Sequence, residues 1–193
     1  PTICDVRERG CQKTIMRAMS CMRGGEVELP QVTVMSEGEF ARFIDALSET
    51  TDEQRRYFEL WNRGLSMFDL APADYTLESS RGDVVSQIAA AYFPTLKEIV
   101  VVDRGGSLAT EEAVSTFAHE VVHALQDADY DLLALDEKWA TGLDAALALD
   151  GVIEGEAVLY QNLFSLQLAG ISPAAIDWEG YFTDWRAESL TAG

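Results

Sequence analysis

The chain has few basic residues and only two histidines. Its 193 residues include 14 lysines and arginines against 33 aspartates and glutamates, and the formal net charge is −19. Nucleic acids and anionic membrane surfaces attract basic patches, so we expect neither as a partner. No apolar run approaches the roughly 18 residues that a membrane span requires, so we also expect no transmembrane segment.

A secretory signal is equally absent from the first residues. The chain begins with Pro1 instead of methionine, which is typical of a processed or trimmed chain. Its first residues therefore do not decide the compartment, and a secreted or periplasmic location is an open hypothesis. The oligomeric state is open as well.

Cysteine is scarce, with only Cys4, Cys11 and Cys21 in the chain. If this segment is helical, Cys4 and Cys11 lie about 10 Å apart along the helix axis. A disulfide requires Cα atoms within about 7 Å of each other. The spacing therefore favours free thiols in an amphipathic helix, and an irregular N-terminus with one disulfide is the alternative.

The composition is that of a globular protein. Hydrophobic residues make up 48% of the chain, enough for one domain over residues 1–193 with a substantial core. The succession of elements predicts an α+β fold with a small mixed sheet. We expect a helical and strand-containing N-terminal part over 1–80, a core over 85–165, and a tail over 171–193 that packs back on the body.

The N-terminal part shows helix and strand signals in turn. Residues 5–23 predict a helix, and residues 26–35 predict a strand in which Pro30 favours an edge position. Ser36 is followed three residues later by Glu39, the spacing of a capping box, and this pair predicts the start of the next helix.

Further along, two more patterns stand out. Thr51 with Gln54 predicts a second helix that runs to about residue 64. Residues 84–93 and 98–103 predict two strands joined by a turn, and the run of valines in the second strand is the strongest β signal in the chain.

Both histidines belong to one motif, His119-Glu120-Val121-Val122-His123. Thr110 predicts the start of the helix that carries it. Residues i and i+4 share one face of a helix, so both imidazoles can point at one ion. This spacing suits zinc, with Glu120 as the general base that activates a water molecule. The alternative is a surface helix that carries two histidines by chance.

The motif helix has two different faces. Its apolar side carries Val114, Phe117, Ala118, Val121 and Leu125. Its polar side carries Ser115, Thr116, His119, Glu120, His123, Gln126 and Asp127. We expect the apolar side to anchor the helix and the polar side to line a cleft.

A catalytic zinc ion usually takes three protein ligands. No third histidine exists, so we expect a carboxylate from the next long helix, which is predicted from about residue 136 or 141 to 170. Glu154 and Glu156 interrupt an apolar stretch there, and they lie about 200° apart around the helix, so only one can face the metal. We predict Glu154, with Asp150 and Gln161 on its side of the helix as hydrogen-bonding support.

At this point the chain resembles a known family. The motif at 119–123, followed by Glu154-Gly155-Glu156-Ala157, resembles zincin metallopeptidases of the gluzincin type. It resembles more closely a group of uncharacterised bacterial metallopeptidases with His-Glu-x-x-His-Ala-Leu-Gln-Asp and a later Glu-Gly-Glu-Ala. The resemblance covers roughly residues 85–165. It implies a zincin-like fold, a Zn²⁺ ion held by His119, His123 and Glu154, and a peptide or protein substrate.

The same resemblance implies how a substrate would bind. In this family the strand before the motif helix, here 98–103, forms the upper rim of the cleft, and an extended peptide pairs with it. Glu120 would take a proton from water and pass it to the leaving amine. The oxyanion needs a further donor. The candidates for such a donor or for support of the ligands are Tyr160, Tyr130, Tyr92, Asp127, Asp150 and Gln161.

Three other hypotheses are compatible with parts of the sequence. Peptide deformylase-like enzymes share the motif but use a cysteine ligand, and the nearest upstream cysteine, Cys21, is far away in a helical stretch. A zincin-like module without activity would retain metal as a binding or structural site, which four protein ligands would favour. A metal-free scaffold is the third. Substrate specificity and the choice between endopeptidase and exopeptidase stay undetermined.

Overall fold

A computed structural model describes residues 2–25, 28–47, 51–72 and 74–191. The helices are α1 Arg9–Arg23, α2 Glu37–Leu47, α3 Asp52–Ser66, α4 Leu77–Gln87, α5 Glu111–Tyr130, α6 Leu132–Trp139, α7 Leu143–Leu168 and α8 Trp178–Thr191. The strands are β1 Gln31–Ser36, β2 Ala90–Phe93 and β3 Glu98–Asp103. This mostly helical arrangement with a three-stranded mixed sheet confirms the predicted α+β class. Over the described residues, no helix is both long and apolar enough to cross a membrane.

The chain divides into two compact units. One comprises Pro30–Ser107, and the other comprises Pro1–Leu29 together with Leu108–Gly193. The two sequence motifs at 119–127 and 154–157 both belong to the second of these. These bounds differ from the expected division into parts over 1–80, 85–165 and 171–193. The single domain over 1–193 stays a prediction.

The unit over 30–107 is built on the sheet, whose strand order is β1-β3-β2. The central strand β3 is parallel to β1 and antiparallel to β2. Its bounds match the predicted 98–103, and β1 takes the edge position that Pro30 favoured. Residues 26 and 27, which the prediction included in that first strand, lie outside the described residues.

The predicted strand over 84–93 is wrong in its first half. Helix α4 runs to Gln87, and only Ala90–Phe93 is strand. Val85 is buried in a cluster with Phe40, Val100 and Val102. A helical Val85 reaches this apolar cluster beneath the sheet, so tertiary packing overrides the β preference of a valine pair.

The helix starts predicted from capping patterns agree better with the structure than the strand predicted over 84–93. The Ser36–Glu39 capping box is confirmed, since the Ser36 backbone N–H donates to Glu39 Oε2 at 2.9 Å and the Glu39 N–H donates to Ser36 Oγ at 3.4 Å. Helix α3 begins at Asp52 as expected near Thr51, and it extends to Ser66. The side chain of Gln54, the predicted partner of Thr51, lies outside the described residues.

The other unit is centred on α5. Thr110 caps this helix, because its side chain accepts a hydrogen bond from the Ala113 N–H at 3.1 Å. The expected apolar face of α5 is buried. The predicted last helix is α7, which begins close to the later of its two expected starts, and residues 136–139 belong to the separate short helix α6. Asp131, with a left-handed φ of 53°, divides α5 from α6, and its side chain accepts a hydrogen bond from the Ala134 N–H.

The N-terminus corrects the cysteine prediction. Cys4 and Cys11 form a disulfide with a Cα–Cα distance of 5.7 Å, and Cys21 is a free, exposed thiol. Helix α1 begins only at Arg9, not at residue 5, so Cys4 lies in irregular chain that folds back to α1. The alternative of an irregular N-terminus with one disulfide is the correct one.

The tail forms a short 3₁₀ turn, Pro173–Ala175, and helix α8, and both contact α7. The Asn162 side chain donates a hydrogen bond to the Tyr181 hydroxyl at 3.3 Å. Trp178 stacks on Phe182 and meets Tyr181 edge-on. Part of the predicted tail is therefore in contact with the body.

Candidate metal centre

The two histidines of α5 converge on one point. They lie one helical turn apart, and their Nε2 atoms are 3.0 Å from each other. The rings meet edge to face with centroids 4.7 Å apart. The i, i+4 spacing on a regular helix produces this convergence, as the sequence pattern predicts.

Helix α7 brings a carboxylate to the same point. Glu154 Oε2 lies 3.1 Å from His119 Nε2, and Glu154 Oε1 lies 3.4 Å from His123 Nε2. Among the described residues, His119, His123 and Glu154 form a group whose potential ligand atoms all lie within 4.8 Å of one another. Glu156 is not a member of this group, which is the arrangement expected from the helical wheel.

The spacing of these atoms fits a tetrahedral ion. Zinc ligands at about 2.0–2.1 Å from the metal, set at the tetrahedral angle, lie roughly 3.3 Å from each other. The three separations here are 3.0, 3.1 and 3.4 Å. Two imidazoles and one carboxylate are also a donor set that catalytic zinc takes. The residues present therefore fit zinc.

Each histidine is supported on its other ring nitrogen by a glutamine. His119 Nδ1 lies 3.1 Å from Gln161 Oε1, and His123 Nδ1 lies 2.9 Å from Gln126 Oε1. Such partners orient the ligand and select which nitrogen faces the ion. The sequence pattern predicted Gln161 for this role but did not single out Gln126.

The charges of the site favour a bound cation. When the imidazoles are protonated, hydrogen bonds from His119 and then from His123 hold the pKa of Glu154 well below its ordinary value. Burial alone would lower the pKa of His123, but the hydrogen bond with Glu154, the charge of Glu120 and the hydrogen bond with Gln126 together raise it. The surroundings thus stabilise positive charge at this point.

The polar face of α5 is more deeply covered than the sequence suggested. Gln126 is 2% exposed, Glu120 7% and His123 8%, so neighbouring side chains cover this part of the polar face, and a cleft along it stays a prediction. Helices α1 and α7 pack on α5, and α7 supplies polar partners that make this burial tolerable. The Glu154 side chain is 57% exposed, so the site is open to solvent on that side.

The remaining predicted site residues take other positions. Asp127 is buried and accepts a hydrogen bond from the Leu132 N–H at 3.1 Å. Asp150 is exposed on α7, Tyr130 is exposed at the end of α5, and Tyr160 is half-buried on α7. Tyr92 lies on β2, in the unit over 30–107. None of the described contacts joins these tyrosines to the histidines or to Glu154.

Two contacts near the site escaped the sequence analysis. Glu156 forms a salt bridge with Arg23 of α1 and accepts a hydrogen bond from Gln126. Arg23 and Glu156 are 133 positions apart in the chain, so no local pattern could pair them. The one available signal was the place of Gln126 on the polar side of α5, beside His123.

Comparison of the chain with protein-family models, with curated proteins and with solved structures gave no match. The resemblance to gluzincin-type metallopeptidases therefore rests on the two motifs.

Proposed function

We propose that this protein is a zinc-dependent hydrolase with a zincin-like fold, and that it cleaves peptide bonds. The observation that carries the proposal is the convergence of His119, His123 and Glu154 at tetrahedral ligand spacing. The motif supplies a further carboxylate, Glu120, directly beside the first ligand.

Each residue has a defined part in this proposal. His119, His123 and Glu154 hold the ion, which when bound supplies a Lewis acid that polarises a carbonyl and lowers the pKa of water. Glu120 is 7% exposed, and a carboxylate so placed is shielded from bulk solvent. It accepts a proton from the attacking water and returns it to the leaving amine.

The peptide substrate follows from the family resemblance. The motifs at 119–127 and 154–157 resemble those of metallopeptidases, and a peptide amide is the bond that such sites hydrolyse. Strand β3 as the strand that pairs with an extended substrate, and a tyrosine as the oxyanion donor, stay predictions.

A module that keeps its metal without catalysis is the second candidate. A structural zinc site is normally closed by four protein ligands. The ligand group found among the described residues has three members, which leaves a position for water or substrate. This count favours the hydrolase.

The test is Glu120→Gln together with metal analysis. We expect about one zinc per chain in the parent and in the variant, because the amide keeps the shape and is not a ligand. We expect hydrolysis of a peptide library to fall at least about 100-fold, the lower end of what general-base catalysis contributes.

The matched control is Glu112→Gln, an exposed acid on the same helix, which should keep full activity. Cleavage by the Glu120 variant at the parental rate would disprove the mechanism. A purified parent that binds no transition metal would disprove the function.

A further inference from the structure

Behind the ligand His123 lies a buried amide whose two ends are both engaged. Gln126 Oε1 lies 2.9 Å from His123 Nδ1. Gln126 Nε2 donates to the Ile153 carbonyl at 2.9 Å and to Glu156 Oε2 at 2.8 Å. Gln126 is 2% exposed, so water does not compete for these contacts.

These partners leave the amide one orientation. A backbone carbonyl and a carboxylate can only accept hydrogen bonds, so the NH₂ end of Gln126 must face Ile153 and Glu156. Its oxygen then faces His123, and an oxygen of this kind can only accept. The proton of His123 must therefore sit on Nδ1, and Nε2 presents its lone pair to His119 and Glu154.

The orientation depends in turn on an ion pair between helices. Arg23 Nε lies 3.0 Å from Glu156 Oε1, and Arg23 NH1 lies 2.7 Å from Asp129 Oδ2. The Arg23 side chain is only 4% exposed. Its guanidinium holds the Glu156 carboxylate in place, so α1 is linked through α7 to the ligand on α5.

We propose that Gln126 is a positioning residue for His123, and that the Arg23–Glu156 ion pair holds its amide in the orientation that leaves His123 Nε2 free for zinc. The inference rests on the proposed function for the identity of the ion. The proton position on His123, however, is a property of the metal-free protein and can be measured without any ion.

The first experiment reads that proton directly. The chain has only two histidines, so nitrogen-15 correlation spectra of the imidazoles are readily assigned. In metal-free parent protein, with the imidazoles neutral, we expect His123 to carry its proton on Nδ1. In Gln126→Met, which keeps the size but removes the acceptor, we expect the Nε2-protonated form to appear.

The matched control is Gln167→Met, a half-buried glutamine further along α7 and outside the described contacts of the site, which should leave the His123 tautomer unchanged. Nε2-protonated His123 in the parent, or a tautomer unaltered by Gln126→Met, would overturn the proposal.

The second experiment measures zinc affinity by chelator competition. We expect Gln126→Met to weaken binding about 10–100-fold, the usual effect of losing a ligand's hydrogen-bond partner. Glu156→Ala should weaken it about tenfold. Glu156→Gln should weaken it as well, because a glutamine has a single oxygen and cannot accept from both Arg23 and Gln126.

Thermal unfolding of the chelated proteins will show whether each variant is folded. If Gln126→Met does not fold, the zinc affinities of Glu156→Ala and Glu156→Gln test the proposal instead. Equal affinity in Glu156→Ala and the parent would refute the role of the ion pair. If the parent binds no zinc but His123 is Nδ1-protonated, the proposed function fails and the positioning role stands.

Discussion

Two glutamates separated by a single glycine have unlike surroundings. Glu154 contacts both histidines, while Glu156 contacts Gln126 and Arg23. The difference follows from the roughly 200° between residues i and i+2 on a helix. One carboxylate completes a ligand group, and the other supports the helix packing behind it.

This difference predicts the order of metal loss. Glu154→Ala should release zinc, because it removes one of three ligands and leaves two imidazoles that bind far more weakly. Glu156→Ala should weaken binding much less, since its effect passes through Gln126. Chelator competition on both variants measures the order.

Asp150→Ala, an exposed acid one turn before Glu154, is the control and should match the parent. If Glu156→Ala loses more zinc than Glu154→Ala, the assignment of the third ligand is incorrect.

Among the elements, α5 is the helix that carries both histidines and Glu120. Both of its faces are covered over the motif, the apolar one by core side chains and the polar one by hydrogen-bonded partners. Its ends are capped as well, by the Thr110 side chain at the start and by the Asp131 backbone N–H, which donates to the Asp127 carbonyl, at the end. A helix fixed in this way holds its two histidines at a constant separation.

The contribution of the α5 N-cap to stability can be tested by mutation. Thr110→Ala removes the acceptor of the Ala113 N–H and should lower the free energy of unfolding by about 1 kcal/mol. Thr110→Ser should keep nearly all of it. Urea unfolding of the chelated proteins measures the change, and a loss as large in the serine variant as in the alanine variant would argue against the cap.

The disulfide joins the irregular N-terminus to α1. Replacing both Cys4 and Cys11 by alanine should lower the free energy of unfolding by about 2 kcal/mol, as expected for a short cross-linked loop. Reducing agent should have the same effect on the parent and none on the double variant. Identical urea curves for oxidised and reduced parent would show that the bridge adds no stability.

At the scale of the whole molecule, the site joins distant parts of the chain. Its ligands come from α5 and α7, and their support comes from α1 through Arg23. A net charge of −19 also raises the local concentration of cations. Metal binding should therefore raise the free energy of unfolding.

Zinc at about 100 times its dissociation constant should add about 2.7 kcal/mol to the free energy of unfolding. For a chain of this size the midpoint should rise by roughly 5–10 °C. Calorimetry with and without chelator measures the shift, and His119→Ala is the control that should show none. A parent whose midpoint ignores zinc would contradict the proposed site.

Much of the architecture was already readable along the chain. Strand β3, the Ser36–Glu39 cap, the start of α5 and its apolar face all follow from patterns within a few residues. The placement of Glu154 beside the histidines followed from helix geometry combined with a family resemblance. The strand, the two helix starts and the apolar face depend on backbone hydrogen bonds and on side-chain periodicity, which are local.

The rest required contacts between distant residues. The Cys4–Cys11 bridge depends on where α1 begins, and the helical state of Val85 depends on the cluster beneath the sheet. The pairing of Gln126 with Glu156 and Arg23 needs three helices at once. A local pattern reports which face of an element is apolar or polar, but only packing decides which faces meet, and a buried polar group takes its role from the partner it meets.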